Sequence, residues 1–360
     1  MKILITGCAG YLGSRLALYL RQAHPDCTVV GLDNLSRRGA ETSLPALAAH
    51  GVSLLHGDIR HPSDLRALPP ADWVVDCAAN PSVLAGLGGF GAGSAEQLVE
   101  HNLVGTANVL EYCRQHRAGL VLVSSSRVYS VAALNALPVR EEATRLALDP
   151  QRVEGVPGLS VEGLDETFST EPPVSLYGAT KLAGEILALE YGQAFDFPVW
   201  VNRCGVIAGP GQFGKIDQGV FSFWVYAFLV GRPLRYLGFG GTGKQVRDLV
   251  SAEDLARLVA LQLHEPGRPV PRRLNVGGGL KSSLSLLETT ALCEEFFRRE
   301  GLVTASREER PFDMPYYVTD NRRVTTHWGW EPSQTGEELL LGLCRWASEH
   351  RAFVEAIMKG

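Results

Sequence analysis

The sequence predicts a doubly wound α/β chain: a parallel sheet covered on both faces, with a smaller C-terminal lobe. Three observations predict it. Apolar runs without the in–out alternation of a half-exposed strand recur through the first two thirds of the chain. Helical spacing of apolar residues fills the gaps between them. The first run ends in a glycine triplet that opens a helix, the sign of the Rossmann arrangement.

Taken in order, residues 2–6 form a short apolar strand, and Leu12, Leu16 and Leu20 follow at helical spacing. Residues 28–32 read as a second buried strand, 53–56 as a third and 73–77 as a fourth. A long helix is expected over 96–113, a fifth strand over 120–124, a helix over 175–191 and a strand over 198–203. Two stretches break this rhythm. Residues 132–173, rich in Pro, Glu and Gly, are long for a plain connection and are expected to be a functional insertion near the site. Gly-rich turns with aromatics at 209–219 and 237–243 point to a second lobe closing over the sheet. The expected division is 1–205 with 245–278 as the dinucleotide-binding domain, and 206–244 with 279–360 as the second lobe.

Bulk properties narrow the function. A net charge of −5 with 20% charged residues suggests neither a nucleic-acid nor an anionic-membrane surface. An anionic ligand must therefore be held by a few local Arg or Lys residues and by backbone amides. The seven cysteines lie in apolar runs without a C-x-x-C, so they are expected to be reduced core residues of a cytoplasmic protein. No metal site is expected, because no histidine pair with ligand spacing accompanies them. A strand begins at once, so no signal peptide is expected. The apolar stretch at 220–230 is too short to span a bilayer.

The turn Gly7-Cys8-Ala9-Gly10-Tyr11-Leu12-Gly13 carries the cofactor expectation. Gly7 permits the tight turn, Gly10 lets the backbone approach a pyrophosphate, and Gly13 lets helix and strand pack closely. The helix start then offers free N–H groups and a partial positive charge. Asp33 ends the second strand twenty residues after Gly13, where a carboxylate accepts from the ribose hydroxyls of NAD and repels a 2′-phosphate. Arg37 and Arg38 stand close enough to reach such a phosphate, which leaves NADP open. Asp58 follows the third strand, placed to meet the adenine or, equally well, to act as a turn or cap residue.

Tyr177 and Lys181 are four residues apart, on one face of a helix. A free phenol is a poor base at neutral pH, and an ammonium beside it with an oxidised nicotinamide favours the phenolate. Tyr177 can then take a hydroxyl proton while hydride leaves the same carbon. The strand at 121–124 runs out into Ser125-Ser126-Arg127-Val128-Tyr129 at the carboxyl edge, where ligands of open α/β sheets bind. A hydroxyl there can bond the substrate oxygen; a serine cluster can also simply cap a turn.

With these residues in view the chain resembles the extended short-chain dehydrogenases that act on nucleotide sugars. The resemblance covers nearly the whole length: the Gly7–Gly13 turn, Asp33-Asn34-Leu35-Ser36, Gly57-Asp58, Ala78-Ala79-Asn80-Pro81, Asn102, the 124–129 strand end, Tyr177/Lys181 and Arg247-Asp248. Counting four back from Tyr129 places the family's catalytic hydroxyl on Ser125 rather than Ser126. The resemblance implies a cofactor set of Gly7, Gly10, Tyr11, Leu12, Gly13, Asp33, Asn34, Ser36, Arg37, Asp58, Ile59, Ala78, Ala79, Asn80, Asn102, Ser124, Tyr177, Lys181 and Arg203. The segments 211–224, 236–248 and 313–320 resemble the CDP-paratose (CDP-tyvelose) 2-epimerases more narrowly. They imply a substrate set of Pro81, Ser126, Arg127, Gln212, Lys215, Gln218, Tyr236, Gln245 and Arg247. Within it, Gln212, Lys215, Gln245 and Arg247 offer donors to a diphosphate and a pyrimidine, and Tyr236 and Phe239 offer stacking faces. Ser130, Val206 and Ala208 depart from the family's usual residues around the sugar.

The expected function is NAD-dependent epimerisation of a CDP-linked deoxyhexose at C2, by a homodimer or homotetramer built on the 96–113 and 175–191 helices. Other 4-epimerases or dehydratases on the same fold are the close alternative. Dehydration usually needs an Asp-Glu pair where this chain has Ser126 and Arg127. A non-catalytic dinucleotide sensor is the distant alternative, against which the chain keeps Ser125, Tyr177 and Lys181.

Overall fold

The computed structural model describes residues 1–87, 93–213 and 219–358. Its centre is a seven-stranded sheet, parallel throughout: β1 (Lys2–Thr6), β2 (Thr28–Asp33), β3 (Ser53–His56), β4 (Trp73–Asp76), β5 (Gly119–Ser125), β6 (Val199–Cys204) and β7 (Arg273–Val276). The spatial order is β7-β6-β5-β4-β1-β2-β3. After β3 the chain crosses back to β4, on the far side of β1. The order reverses there, leaving a crevice at the carboxyl ends of β1 and β4, where ligands bind in such sheets.

The strands are apolar on both faces because helices cover both. On one face Ile3, Ile5, Val29 and Val75 pack with α1 (Tyr11–Ala23) and α5 (Ala252–His264). On the other, Leu4, Leu32, Val74 and Leu122 pack with α2 (Gly105–His116) and α3 (Ser175–Phe195). Each fully buried aliphatic side chain contributes about 1.5–3 kcal/mol. A separate apolar core joins α4 (Val220–Val230), α6 (Leu286–Phe297), α7 (Gly336–Glu349) and α8 (Arg351–Met358). The stretch read as too short for a membrane is α4, buried along almost its whole length. Among the described residues no helix is long and apolar enough to cross a membrane.

Two expectations need correction. The helix expected over 96–113 is interrupted: Ala95–Val99 runs into a wide π-type turn at Glu100–Val104 before α2 begins. Such a turn is invisible to apolar periodicity. The 132–173 insertion does not reach the site. It folds into two small hairpins whose apolar side chains, with Tyr129, pack on Met314, Tyr316 and Tyr317 in a core of their own, and none of its residues lines the main cavity.

Candidate active site

The crevice opens into a cavity of about 850 Å³. Its first wall is the glycine turn. Gly7 takes a positive φ of 63°, and a Cβ on Gly13 would stand 2.2 Å from the Gly7 carbonyl oxygen. Only glycine lets α1 start this close to β1. No side chain caps the start of α1, so its first N–H groups face the cavity as an anion cradle. These residues fit a dinucleotide's pyrophosphate.

Asp33, at the end of β2, is fixed by the N–H groups of Ala9 (2.9 Å) and Leu35 (2.8 Å), and it lines the cavity with Asn34, Ser36 and Arg37. Asp58 accepts from Asn34 (2.8 Å) and from Arg60 (2.7 Å). Burial disfavours its charge, but the hydrogen bonds from Arg60 and Asn34 prevail and hold its pKa below the ordinary carboxylate value. Tyr11, Leu12, Ile59, Ala78 and Ala79 complete this half of the wall. Arg37 donates to the Phe213 carbonyl (3.3 Å) and Arg38 to that of Ala356 (3.3 Å).

The opposite wall holds Ser124, Ser125, Ser126, Arg127, Tyr177 and Lys181 together. One glycine makes this possible. A Cβ on Gly178 would lie 2.2 Å from the Arg127 carbonyl oxygen, so α3 can press its Tyr177 turn against the end of β5 only without a side chain there. Ser125 Oγ accepts from the Arg127 N–H (3.1 Å). Thr180 Oγ donates to the Tyr177 carbonyl (2.8 Å) and accepts from Asn102 (3.3 Å). Beneath Lys181 lies a carboxylate that the sequence reading missed, Asp76, buried at the end of β4 and bonded by Thr6. Burial raises its pKa, and the Lys181 ammonium opposes that rise.

Arg127 donates to the Phe312 carbonyl (2.9 Å) and Arg247 to Asp313 (2.8 Å); both arginines line the cavity with Arg310 and Asp313. Burial, reinforced by Arg247, pushes the Arg127 guanidinium down to about 9. Such a crowding of cations is complementary to an anion such as a diphosphate. Asp313 opens the 313–320 segment already singled out by the resemblance, whereas Arg310 lies just before it, on a turn with no motif of its own. Pro81, Gln212 and Gln245 also line the cavity.

Several expected site residues stand elsewhere. Arg203 is wholly buried and paired with Glu185 (2.8 Å), away from the cavity, so it braces β6 against α3. Asn80 and Asn102 lie behind the wall: the Asn102 amide accepts from the Asn80 N–H (2.8 Å) and donates to its carbonyl (2.9 Å), which fixes the approach to Pro81. Tyr236 stacks on Trp224 (5.9 Å) and donates to Thr290 (2.7 Å), also off the cavity, as is Phe239. Gln212 and Gln245, by contrast, line the cavity, with one amide bond each already made inside the protein. The Gln212 amide donates to the Ile207 carbonyl (2.7 Å) and accepts from Ser222 (2.6 Å), and the Gln245 amide donates to Leu237 (3.2 Å). Lys215 and Gln218 lie outside the described residues. Among those residues, no three His, Cys, Asp or Glu side chains are placed to hold a metal ion.

Fold and site together define a dinucleotide-dependent enzyme of the α/β type, with Tyr177 and Lys181 lining a cavity at the carboxyl edge of its sheet. The chain belongs to the NAD dependent epimerase/dehydratase family, whose description matches residues 3–277. It is 29% identical to the CDP-paratose 2-epimerase of Salmonella typhi, over 97% of this chain and 99% of that one. It is 28% identical to a dTDP-glucose 4,6-dehydratase of Neisseria gonorrhoeae, over 97% and 96%. Among solved structures it is similar to the Thermus thermophilus UDP-glucose 4-epimerase in complex with NAD: TM-score 0.74, 26% identity, 96% of this chain and 99% of that one.

Proposed function

We propose that this enzyme epimerises a nucleotide sugar, and that its substrate is a CDP-linked deoxyhexose inverted at C2, as in the conversion of CDP-paratose to CDP-tyvelose. The observation that carries the reading is that Ser125, Tyr177 and Lys181 line the same cavity as the glycine turn at the start of α1. The cradle and Asp33 would hold NAD, which when bound would supply an acceptor and then a donor of hydride. Tyr177 takes the proton from the hydroxyl on the reacting sugar carbon and returns it after the sugar has presented its other face. Ser125 orients the reacting oxygen. Lys181 would hold the cofactor's ribose and supports the Tyr177 phenolate.

Among reactions seen in its relatives, dehydration is disfavoured by the side chains beside Ser125. Ser126 and Arg127 stand where dehydration usually needs an Asp-Glu pair, and a guanidinium is not a base at neutral pH. A 29% identity to a CDP-paratose 2-epimerase supports the choice of base and carbon. The separate apolar core of α4, α6 and α7 supports a division into a dinucleotide half and a nucleotide-sugar half. We also propose a cytoplasmic homodimer or homotetramer, supported by Val104, Ile186 and Phe195, which expose apolar surface on the helices expected to pair.

The test is product analysis by NMR with CDP-paratose and UDP-glucose offered separately to the NAD-loaded enzyme. CDP-tyvelose from the first, and no product from the second, supports the reading. UDP-galactose or a 4-keto-6-deoxy product would replace it. Tyr177→Phe should lower turnover by about 10²–10⁴-fold with the fold retained.

A further inference from the structure

The segment 209–213 crosses from the nucleotide-sugar side of the cavity to the loop that follows Asp33, and it is gripped at both ends. On the nucleotide-sugar side, Tyr226 donates to the Gln212 carbonyl (2.7 Å), and Ser222 and Ile207 hold the Gln212 amide. On the dinucleotide side, Arg15 donates to the Pro210 carbonyl (2.9 Å) and Arg37 to the Phe213 carbonyl (3.3 Å). The Phe213 ring lies on the backbone of Gly39: a Cβ there would be 2.1 Å from Cζ of the ring. Gly39 also has a φ of +92°, so both the conformation and the contact need glycine. Behind the ring, Phe353 of α8 packs edge-on at 5.2 Å. Asp33, Arg37, Gly39 and Phe213 line one cavity.

We propose that Phe213 is a latch that retains the dinucleotide through turnover. Resting on the loop just beyond Asp33, it ties the ribose-binding edge to the nucleotide-sugar side by a contact outside the central sheet. The loop cannot swing away to release a dinucleotide until the ring leaves Gly39. Retention matters because the hydride taken from one sugar must go back to the same sugar. A cofactor lost between those two events strands an oxidised sugar. The latch rests on the reading of the site as NAD-dependent but not on which sugar is used.

The experiment measures NAD release, not activity. The full chain is loaded with NAD and freed of excess by gel filtration, and NAD appearing in ultrafiltrates is followed with time. Wild type, Phe213→Ala and Phe213→Leu are compared, with far-UV circular dichroism as the check of fold. Loss of one packed ring predicts release faster by on the order of 10- to 100-fold in Phe213→Ala. The leucine variant should lie between it and wild type. If Phe213→Ala fails to fold, Phe213→Leu against wild type decides the question in the same way. Equal release from the folded Phe213 variants and wild type overturns the latch. Should that happen while Tyr177→Phe still lowers turnover by about 10²–10⁴-fold, the latch alone falls and the enzymatic reading stands.

Discussion

Removing Arg203 should unfold the protein before it weakens cofactor binding. The Arg203 guanidinium is fully buried, donates to both Glu185 oxygens from Nε (3.1 and 3.0 Å) and from Nη2 (2.8 Å), and lies 5.1 Å from the centre of the Tyr129 ring. Burial disfavours its charge, yet the Glu185 bonds prevail and raise its pKa above the ordinary value, so loss of a proton offers no relief. Arg203→Met leaves the buried Glu185 carboxylate with only the Ser124 hydroxyl and a more distant Arg273 (3.9 Å) for partners, a change that costs up to about 3–5 kcal/mol. For a chain of this size that corresponds to a fall in Tm on the order of 5–15 °C. Adding Glu185→Leu removes the stranded charge and should recover most of the loss, because an ion pair replaced by packed apolar groups is often nearly neutral. The assay is a double-mutant cycle by thermal unfolding, with NAD affinity measured below the transition. An Arg203→Met protein with unchanged Tm and lost NAD affinity would refute the reasoning and return Arg203 to the cofactor site.

Gly13→Ala should abolish NAD binding measured by calorimetry, since its methyl would stand 2.2 Å from the Gly7 carbonyl oxygen and force α1 off the cradle; wild-type affinity in that variant would contradict the cradle. Asn102→Ala should weaken turnover through KM more than through NAD affinity, because Asn102 brackets the backbone before Pro81 and does not line the cavity; steady-state kinetics beside a binding titration checks it. His24 meets His264 at 3.3 Å, and burial together with that second ring lowers its pKa. A depressed histidine contributes stability that is full above its unfolded pKa of about 6.5 and is lost as pH falls through the folded value. His264→Asn should therefore flatten a small decline in Tm below about pH 6.5, an effect kept small by exposure of the pair.

The central architecture was legible because parallel strands covered on both faces must be continuously apolar, as residues 3–5 and 73–75 are, and because a glycine triplet at a strand end has few other physical uses. The Tyr177/Lys181 pair was legible for the same kind of reason: helical spacing fixes two side chains on one face. Arg203 was misplaced because a buried arginine and a ligand-binding arginine look alike until the partner is known, and Glu185 lies 18 residues away on another element. Gln212 and Gln245 line the cavity, and each gives one amide N–H to a backbone carbonyl of a neighbouring turn, a bond that no periodicity reports. Asp76 went unnoticed because a carboxylate ending an apolar strand resembles the start of a turn. Its proximity to Lys181 exists only once β4 and α3 meet across the sheet.

Epimerisation at this site requires that a phenol from α3 and a sugar hydroxyl meet across from the glycine turn. A crystal structure of the enzyme with NAD and CDP-paratose tests it most directly. The expected result is Tyr177 Oη within about 2.6–3.2 Å of the C2 hydroxyl, with Ser125 Oγ bonded to the same oxygen and the nicotinamide facing C2. A sugar lodged away from the end of β5, or a Tyr177 side chain turned from it, would contradict the account.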